Sequence, residues 1–145
     1  MFLTKECDYG IRIVRALAEG EKRTAEEICE AENIPGQFAY KILKKMERAG
    51  FLQSSRGRDG GYWLIKSLDA ITLFDIISAI DENLFINECL KEDRPCVRNG
   101  PDKSCAVHHE LERIQQVLTN ELRLKTILQI VTQPLPISSG AANAV

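Results

Sequence analysis

Apolar positions in the first third of the chain recur at helical spacing. Tyr9, Ile13, Val14, Leu17 and Ala18 fall mostly three and four apart. That is the one-sided stripe of an amphipathic helix, and it predicts a first helix over 4–18, ended by Gly20. A second helix over 24–32 opens with a capping box, Thr24 as N-cap and Glu27 three residues on, and Ile28 and Ala31 supply its apolar face. Asn33-Ile34-Pro35-Gly36 is a short turn. In the third helix Phe38, Ile42, Leu43, Met46 and Ala49 face inward, while Lys41, Lys44, Lys45 and Arg48 face out, and Gly50 is a natural C′ residue.

The pattern then changes period. Phe51 to Ser55 and the aromatic, branched run Tyr62-Trp63-Leu64-Ile65 read as two strands around a turn from Arg56 to Gly61. A fourth helix starts at Thr72, with Asp75 completing a second capping box and Leu73, Ile76, Ile77 and Ile80 as its apolar face. Helical periodicity returns after Ala106. Leu111, Ile114, Val117, Leu118, Leu122, Leu124, Ile127, Leu128 and Val131 predict one long helix, spanning roughly 35 Å at ~1.5 Å per residue.

The fold expected is mainly α with a small β-hairpin wing: a winged helix–turn–helix domain over 1–80, a cysteine-rich loop over 81–106 and a long dimerisation helix over 107–131. A stripe this apolar on one long helix is most simply buried by the same helix of a second subunit, which implies a homodimer. The alternative is a helix folding back on its own core. The tail 132–145, rich in Pro, Ser, Gly and Ala, is expected to be disordered.

At 145 residues the chain suits one core with an appended element. The apolar fraction of 44% and the charged fraction of 28% are those of an ordinary globular protein. No apolar run approaches the ~20 residues of a membrane helix, and Glu6 and Asp8 stand where a signal peptide needs a basic flank, so a cytoplasmic protein is expected. In a reducing compartment its five cysteines are not expected to form structural disulfides. Cys7 and Cys29, lying in helical patterns, read as buried thiols.

The net charge of −2 conceals an asymmetry. From Pro35 to Lys66 seven Lys/Arg stand against Glu47 and Asp59, a local +5, whereas 67–145 carries seven basic and eleven acidic residues, a local −4. A basic face on a mildly acidic body points to double-stranded DNA. A recognition helix presents polar side chains near its N-terminus, here Gln37, Tyr40 and Lys41. Lys44 and Lys45 follow a turn later, placed with Arg48 for phosphate. Arg56 and Arg58 flank Gly57 at the hairpin tip, where an arginine can enter a narrow minor groove. No Gly-rich phosphate loop, His-Glu-x-x-His or nucleophile elbow is present, so neither an enzyme nor a small-molecule substrate is expected.

Cys89, Cys96, Cys105 and His108 crowd into twenty residues as Cys-x6-Cys-x8-Cys-x2-His. Soft thiolates select zinc, copper(I) or iron–sulfur clusters. Structural zinc sites favour close Cys pairs, and only Cys105 and His108 are close here, at helical i, i+3 spacing. An iron–sulfur cluster, zinc and uncoordinated redox thiols all remain open on this chemistry.

PGQFAYKILKKMERAGF followed by RGRDGGYWL, together with the opening LTKECDYG, resembles the Rrf family, the IscR/NsrR winged-helix transcription regulators, over about Met1 to Val131. The resemblance implies a homodimer on a two-fold operator, with Arg56 probing the minor groove and Gln37, Tyr40 and Lys41 near bases. It further implies an iron–sulfur cluster, [2Fe-2S] favoured over [4Fe-4S], held by Cys89, Cys96, Cys105 and His108. The gaps of six and eight are longer than the family's commoner ones. Asp8, in its DYG context, resembles the NsrR type and offers an alternative fourth ligand from a partner subunit. His109 is a third candidate, and Asp8 has the competing reading of a helix N-terminal charge. The function expected is a sequence-specific DNA-binding repressor or activator controlled by the cluster, the rival being a cluster-free regulator of the same fold governed by thiol redox or zinc.

Overall fold

The computed structural model describes residues 3–92, 98–99 and 104–134. They form α1 (Lys5–Ala16), α2 (Ala25–Glu32), α3 (Gly36–Arg48), β1 (Leu52–Ser55), β2 (Gly61–Leu64), α4 (Leu73–Ile80), α5 (Ala106–Leu124) and α6 (Ile127–Thr132), with 3-10 turns at Leu68–Ala70 and Glu88–Leu90. The expected winged helix–turn–helix order is therefore present.

Local chemistry sets the helix starts. Thr4 accepts a hydrogen bond from the Cys7 N–H at the head of α1. The capping boxes Thr24/Glu27 and Thr72/Asp75 are both formed, on α2 and α4. Asn33 ends α2 in the left-handed region at φ 52°, which turns the chain into α3. Ile13, Val14 and Leu17 of α1 meet Ile28, Ile42, Leu43, Met46, Ile76 and Ile77 in one buried cluster, with Phe51 and Leu52 closing it beneath the hairpin. Gly10 lies where α1 crosses α4, and a Cβ there would overlap the Ile80 side chain. Among the described residues Glu32 is the buried charge, and Arg15 answers it with two hydrogen bonds that tie α1 to α2; a buried carboxylate without such a partner would cost several kcal/mol.

The wing is a two-stranded antiparallel hairpin, registered from Leu52 opposite Leu64 to Ser55 opposite Gly61. The α1–α2 connection pairs with its outer edge. Arg23 N–H donates to Tyr62 O at 3.0 Å, and Tyr62 N–H donates to Arg23 O at 2.7 Å. Gly61 permits this approach: its φ is +150°, and a Cβ would stand 2.8 Å from Arg23 O.

The single helix expected over 107–131 is corrected. Lys125 is extended at φ −115°, ψ 137°, which ends α5 at Leu124. Thr126 and Gln129 form a third capping box that starts α6. The break is explained by burial. It turns Ile127 into the core at 4% exposure, and Ile127 N–H donates to Ile71 O at 2.7 Å. The chain thus docks back on its own domain at α6, while α5 contains no buried residue. Leu111, Leu118 and Leu122 lie half-buried on the inward side of α5. A second stripe faces away: Val107 is 68% exposed, Ile114 40%, Val117 49% and Leu124 66%. The tail expected to be disordered lies, from residue 135 on, outside the described residues.

Candidate functional site

The candidate reading face is built on α3. Ala39, Ile42, Leu43 and Met46 anchor it in the core, which leaves Gln37, Tyr40, Lys41, Lys44 and Arg48 exposed on the opposite side and Lys45 half-buried. Three of these side chains are engaged by carboxylates from other helices. Tyr40 Oη donates to Glu26 Oε1 of α2 at 2.6 Å. That bond draws the Glu26 pKa below its ordinary value and raises that of the tyrosine. Lys41 Nζ and Lys45 Nζ both reach the Glu6 carboxylate of α1, at 2.5 and 2.9 Å. Lys45 also donates to Ile80 O, the last carbonyl of α4, at 2.8 Å. Hydrogen bonds from Lys41 first, and Lys45 next, hold the Glu6 pKa below the usual carboxylate value. Glu6, Glu26 and their pairing were missed by the sequence reasoning, because the partners lie 35, 39 and 14 residues apart along the chain.

The wing presents Arg56 and Arg58 exposed on either side of Gly57, which turns at φ 103°. Lys22 was also missed. Its ammonium lies 4.8 Å from the Trp63 ring centroid and donates to Ser55 Oγ at 3.2 Å and Asp59 O at 3.3 Å, adding a cation to the hairpin from the α1–α2 connection. The adjacent pair Lys22-Arg23 just before a capping box was the available signal.

The cysteine segment begins at the C-terminal end of α4. Gln115 of α5 pins it: Oε1 accepts from Ile86 N–H at 2.9 Å, and Nε2 donates to Leu84 O at 2.9 Å. Cys89 lies half-buried in the second 3-10 turn, its N–H donated to Asn87 Oδ1 at 3.2 Å. Cys96 falls outside the described residues. Cys105 is the N-cap of α5, half-buried and free, and His108 follows in the first turn. Among the described residues no three Cys, His, Asp or Glu side chains converge as a metal-holding group. The donors nonetheless suit a soft metal centre. Among the described residues His108 Nδ1 is buried without a hydrogen-bond partner, an arrangement that costs about 1–3 kcal/mol unless something else engages the nitrogen. His109 is occupied, with Nε2 3.0 Å from Ser104 Oγ and Nδ1 3.8 Å from Glu112. Asp8 sits in the first turn of α1 and pairs with Arg12 at 3.0 Å, the geometry of a helix N-terminal charge. Cys7 is buried and Cys29 half-buried, and burial pushes the Cys29 thiol pKa up, as suits packed thiols.

An exposed basic third helix after a tight turn, followed by an arginine-tipped hairpin, defines a winged helix–turn–helix protein. The fold is shared with Staphylococcus aureus CymR in a structure of its oxidized form, at a TM-score of 0.72 and 20% identity, covering 94% of this chain and 100% of that one. The chain belongs to the Rrf2 family, described as iron-dependent transcriptional regulators, whose pattern matches residues 3–133. Among its relatives, protein aau3 of Rhizobium meliloti (strain 1021) is 32% identical over 90% of this chain and 85% of its own length. The transcriptional regulator NsrR of Shouchella clausii is 25% identical over 91% of this chain and 98% of its own length. Among the described residues no helix is long and apolar enough to cross a membrane.

Proposed function

We propose that this transcriptional regulator acts in the cytoplasm as a homodimer on a double-stranded DNA operator, and that an iron–sulfur cluster held by Cys89, Cys96, Cys105 and His108 sets its affinity. The observation that carries the reading is the position of the cysteine segment between the two halves of the molecule. It leaves from α4, whose last carbonyl is bonded to Lys45 of the recognition helix, and it is pinned to α5 by Gln115. A change in the segment therefore bears on the reading head at one end and on the subunit-joining helix at the other.

Each residue has a defined task. Gln37, Tyr40 and Lys41 reach base edges, Lys44 and Lys45 answer phosphates, and Arg56 and Arg58 enter the minor groove. The outward stripe of α5 seats against its copy. The thiolates of Cys89, Cys96 and Cys105 hold the metal group, favoured as [2Fe-2S]. His108 is preferred as fourth ligand because its buried nitrogen has no other partner among the described residues, with Asp8 of a partner subunit as the alternative. Bound there, the cluster would supply a redox-active, charged centre. The family description as iron-dependent supports this reading.

The test is anaerobic purification with absorption and Mössbauer spectra, followed by affinity for a duplex selected from a randomised pool, measured with cluster-loaded and chelator-stripped protein. A coupling of ~1–3 kcal/mol, roughly a 5- to 150-fold change in affinity, is expected. Equal affinities overturn the mechanism. A second reading is control by thiol oxidation without a cluster. It is favoured by the half-buried free thiols of Cys89 and Cys105 and by the fold shared with a regulator solved in an oxidized form. A colourless, iron-free protein whose affinity responds to oxidant would establish it instead.

A further inference from the structure

Four cations stand on α3, and they are not equivalent. Among the described residues no carboxylate pairs with Lys44 or Arg48. Lys41 and Lys45 share one carboxylate, Glu6, which α1 holds against the recognition helix with its side chain 24% exposed. Lys45 is fixed a second time by Ile80 O. Lys41 and Lys45 are thus counter-charged in the free protein, and among the described residues Lys44 and Arg48 are not.

We propose that Glu6 is a specificity-determining residue, a clamp that withholds Lys41 and Lys45 from indiscriminate phosphate contact. The inference rests on the DNA-reading role of α3 proposed above. Phosphates are present on every duplex, and each cation that reaches one adds affinity without sequence information. A clamped lysine must exchange a carboxylate for a phosphate, one anion for another, and gains little. A guanine edge offers two acceptors at fixed positions, and only a sequence that places them correctly gives Lys41 a contact worth leaving Glu6 for. The carboxylate thereby subtracts more from random binding than from operator binding. Tyr40, also on α3, is restrained in the same way by Glu26 of the neighbouring α2, at 2.6 Å.

The test compares wild type with Glu6→Gln, which keeps the side-chain volume and removes the charge. Affinity is measured against a mixed-sequence duplex and against the duplex best retained from a randomised pool, over a range of salt. Glu6→Gln is expected to bind the mixed-sequence duplex roughly threefold to tenfold more tightly, with a log–log salt slope steeper by about one per subunit, and to discriminate less between the two duplexes. In a Lys41→Ala/Lys45→Ala background the same substitution is expected to do nothing. Asp69→Asn, an equal charge change in the first 3-10 turn, is expected to leave discrimination alone.

If wild type binds in a salt-dependent manner and Glu6→Gln matches it in affinity and slope, the clamp is wrong while the DNA-reading role stands. An effect of Glu6→Gln that persists without the two lysines, or is reproduced by Asp69→Asn, also overturns it. If wild type binds neither duplex at low salt, the DNA-reading role falls and the clamp falls with it.

Discussion

The winged body and α5 handle apolar side chains in opposite ways. In the body Ile13, Ile28, Ile42, Leu43, Ile76 and Ile77 are all fully buried, within one chain. On α5, a helix longer than any of those, no residue is buried, and Val107, Ile114, Val117 and Leu124 face outward. The body buries its apolar set within one chain, whereas α5 carries a hydrophobic surface that no described residue covers. Exposed stripes of this kind mark interaction surfaces. Val107, Ile114, Val117 and Leu124 follow 7-3-7 spacing, the seam of a coiled coil, which fits the same stripe on a second copy.

The sharpest way to break the comparison is to cut each region's apolar set and ask where the loss is felt. Leu43→Ala empties a fully buried site in α3 and is expected to cost about 2–5 kcal/mol in urea denaturation, independent of protein concentration. The seam behaves differently. Ile114→Glu with Val117→Glu places charge on the stripe proposed to join two copies. Sedimentation is expected to show monomers that keep the body's helical circular dichroism, with operator affinity down roughly 100-fold as the second half-site's avidity is lost. Dimers that survive both substitutions would mean that α5 turns its stripe toward something other than its copy.

A smaller effect separates the two adjacent histidines at the head of α5. Among the described residues His108 has a buried nitrogen without a partner, while His109 is bonded at the surface. After anaerobic reconstitution His108→Ala is expected to retain roughly tenfold less iron or to change its spectrum, and His109→Ala to resemble wild type, ligand losses of this kind costing at least what supporting contacts do. Iron retained equally by both variants transfers the fourth position to Asp8, and Asp8→Ala then shows the loss.

How far the sequence was legible follows the same division. Helices α1 to α4 and the hairpin could be read because each has a local marker: Thr24 with Glu27, Thr72 with Asp75, Gly50 after α3, and period-two strands around a Gly-rich turn. The exposed faces of α3 and of the wing tip were legible for the same reason. What the exposed cations touch was not. The Glu6 pairing joins residues 35 and 39 apart, and it exists only because α1 packs across α3. The cysteine segment resisted for another reason. Its residues follow neither helical nor strand period, so spacing suggested a chemistry without a geometry, and Cys96 lies outside the described residues.

The break between α5 and α6 was concealed by a conflict of signals. Leu124, Ile127, Leu128 and Val131 continue the helical period without interruption, so apolar spacing alone favours one straight helix. The competing signal is Thr126 followed by Gln129, a capping box inside that run. Burial decides in its favour: the break places Ile127 in the core and lets its N–H reach Ile71 O, where a continuous helix would spend that N–H on its own backbone. Thr126→Ala removes the cap and leaves the apolar pattern intact. It is expected to destabilise the docked α6 by about 0.5–2 kcal/mol, read as faster hydrogen exchange at Ile127 and Ile130 while the amides of α1 and α3 stay protected. If exchange at Ile127 is unchanged, the cap is incidental and the buried Ile127 alone holds the bend. If exchange slows through Lys125, α5 and α6 have merged into one helix, and the apolar period was the stronger instruction once its local opponent was removed.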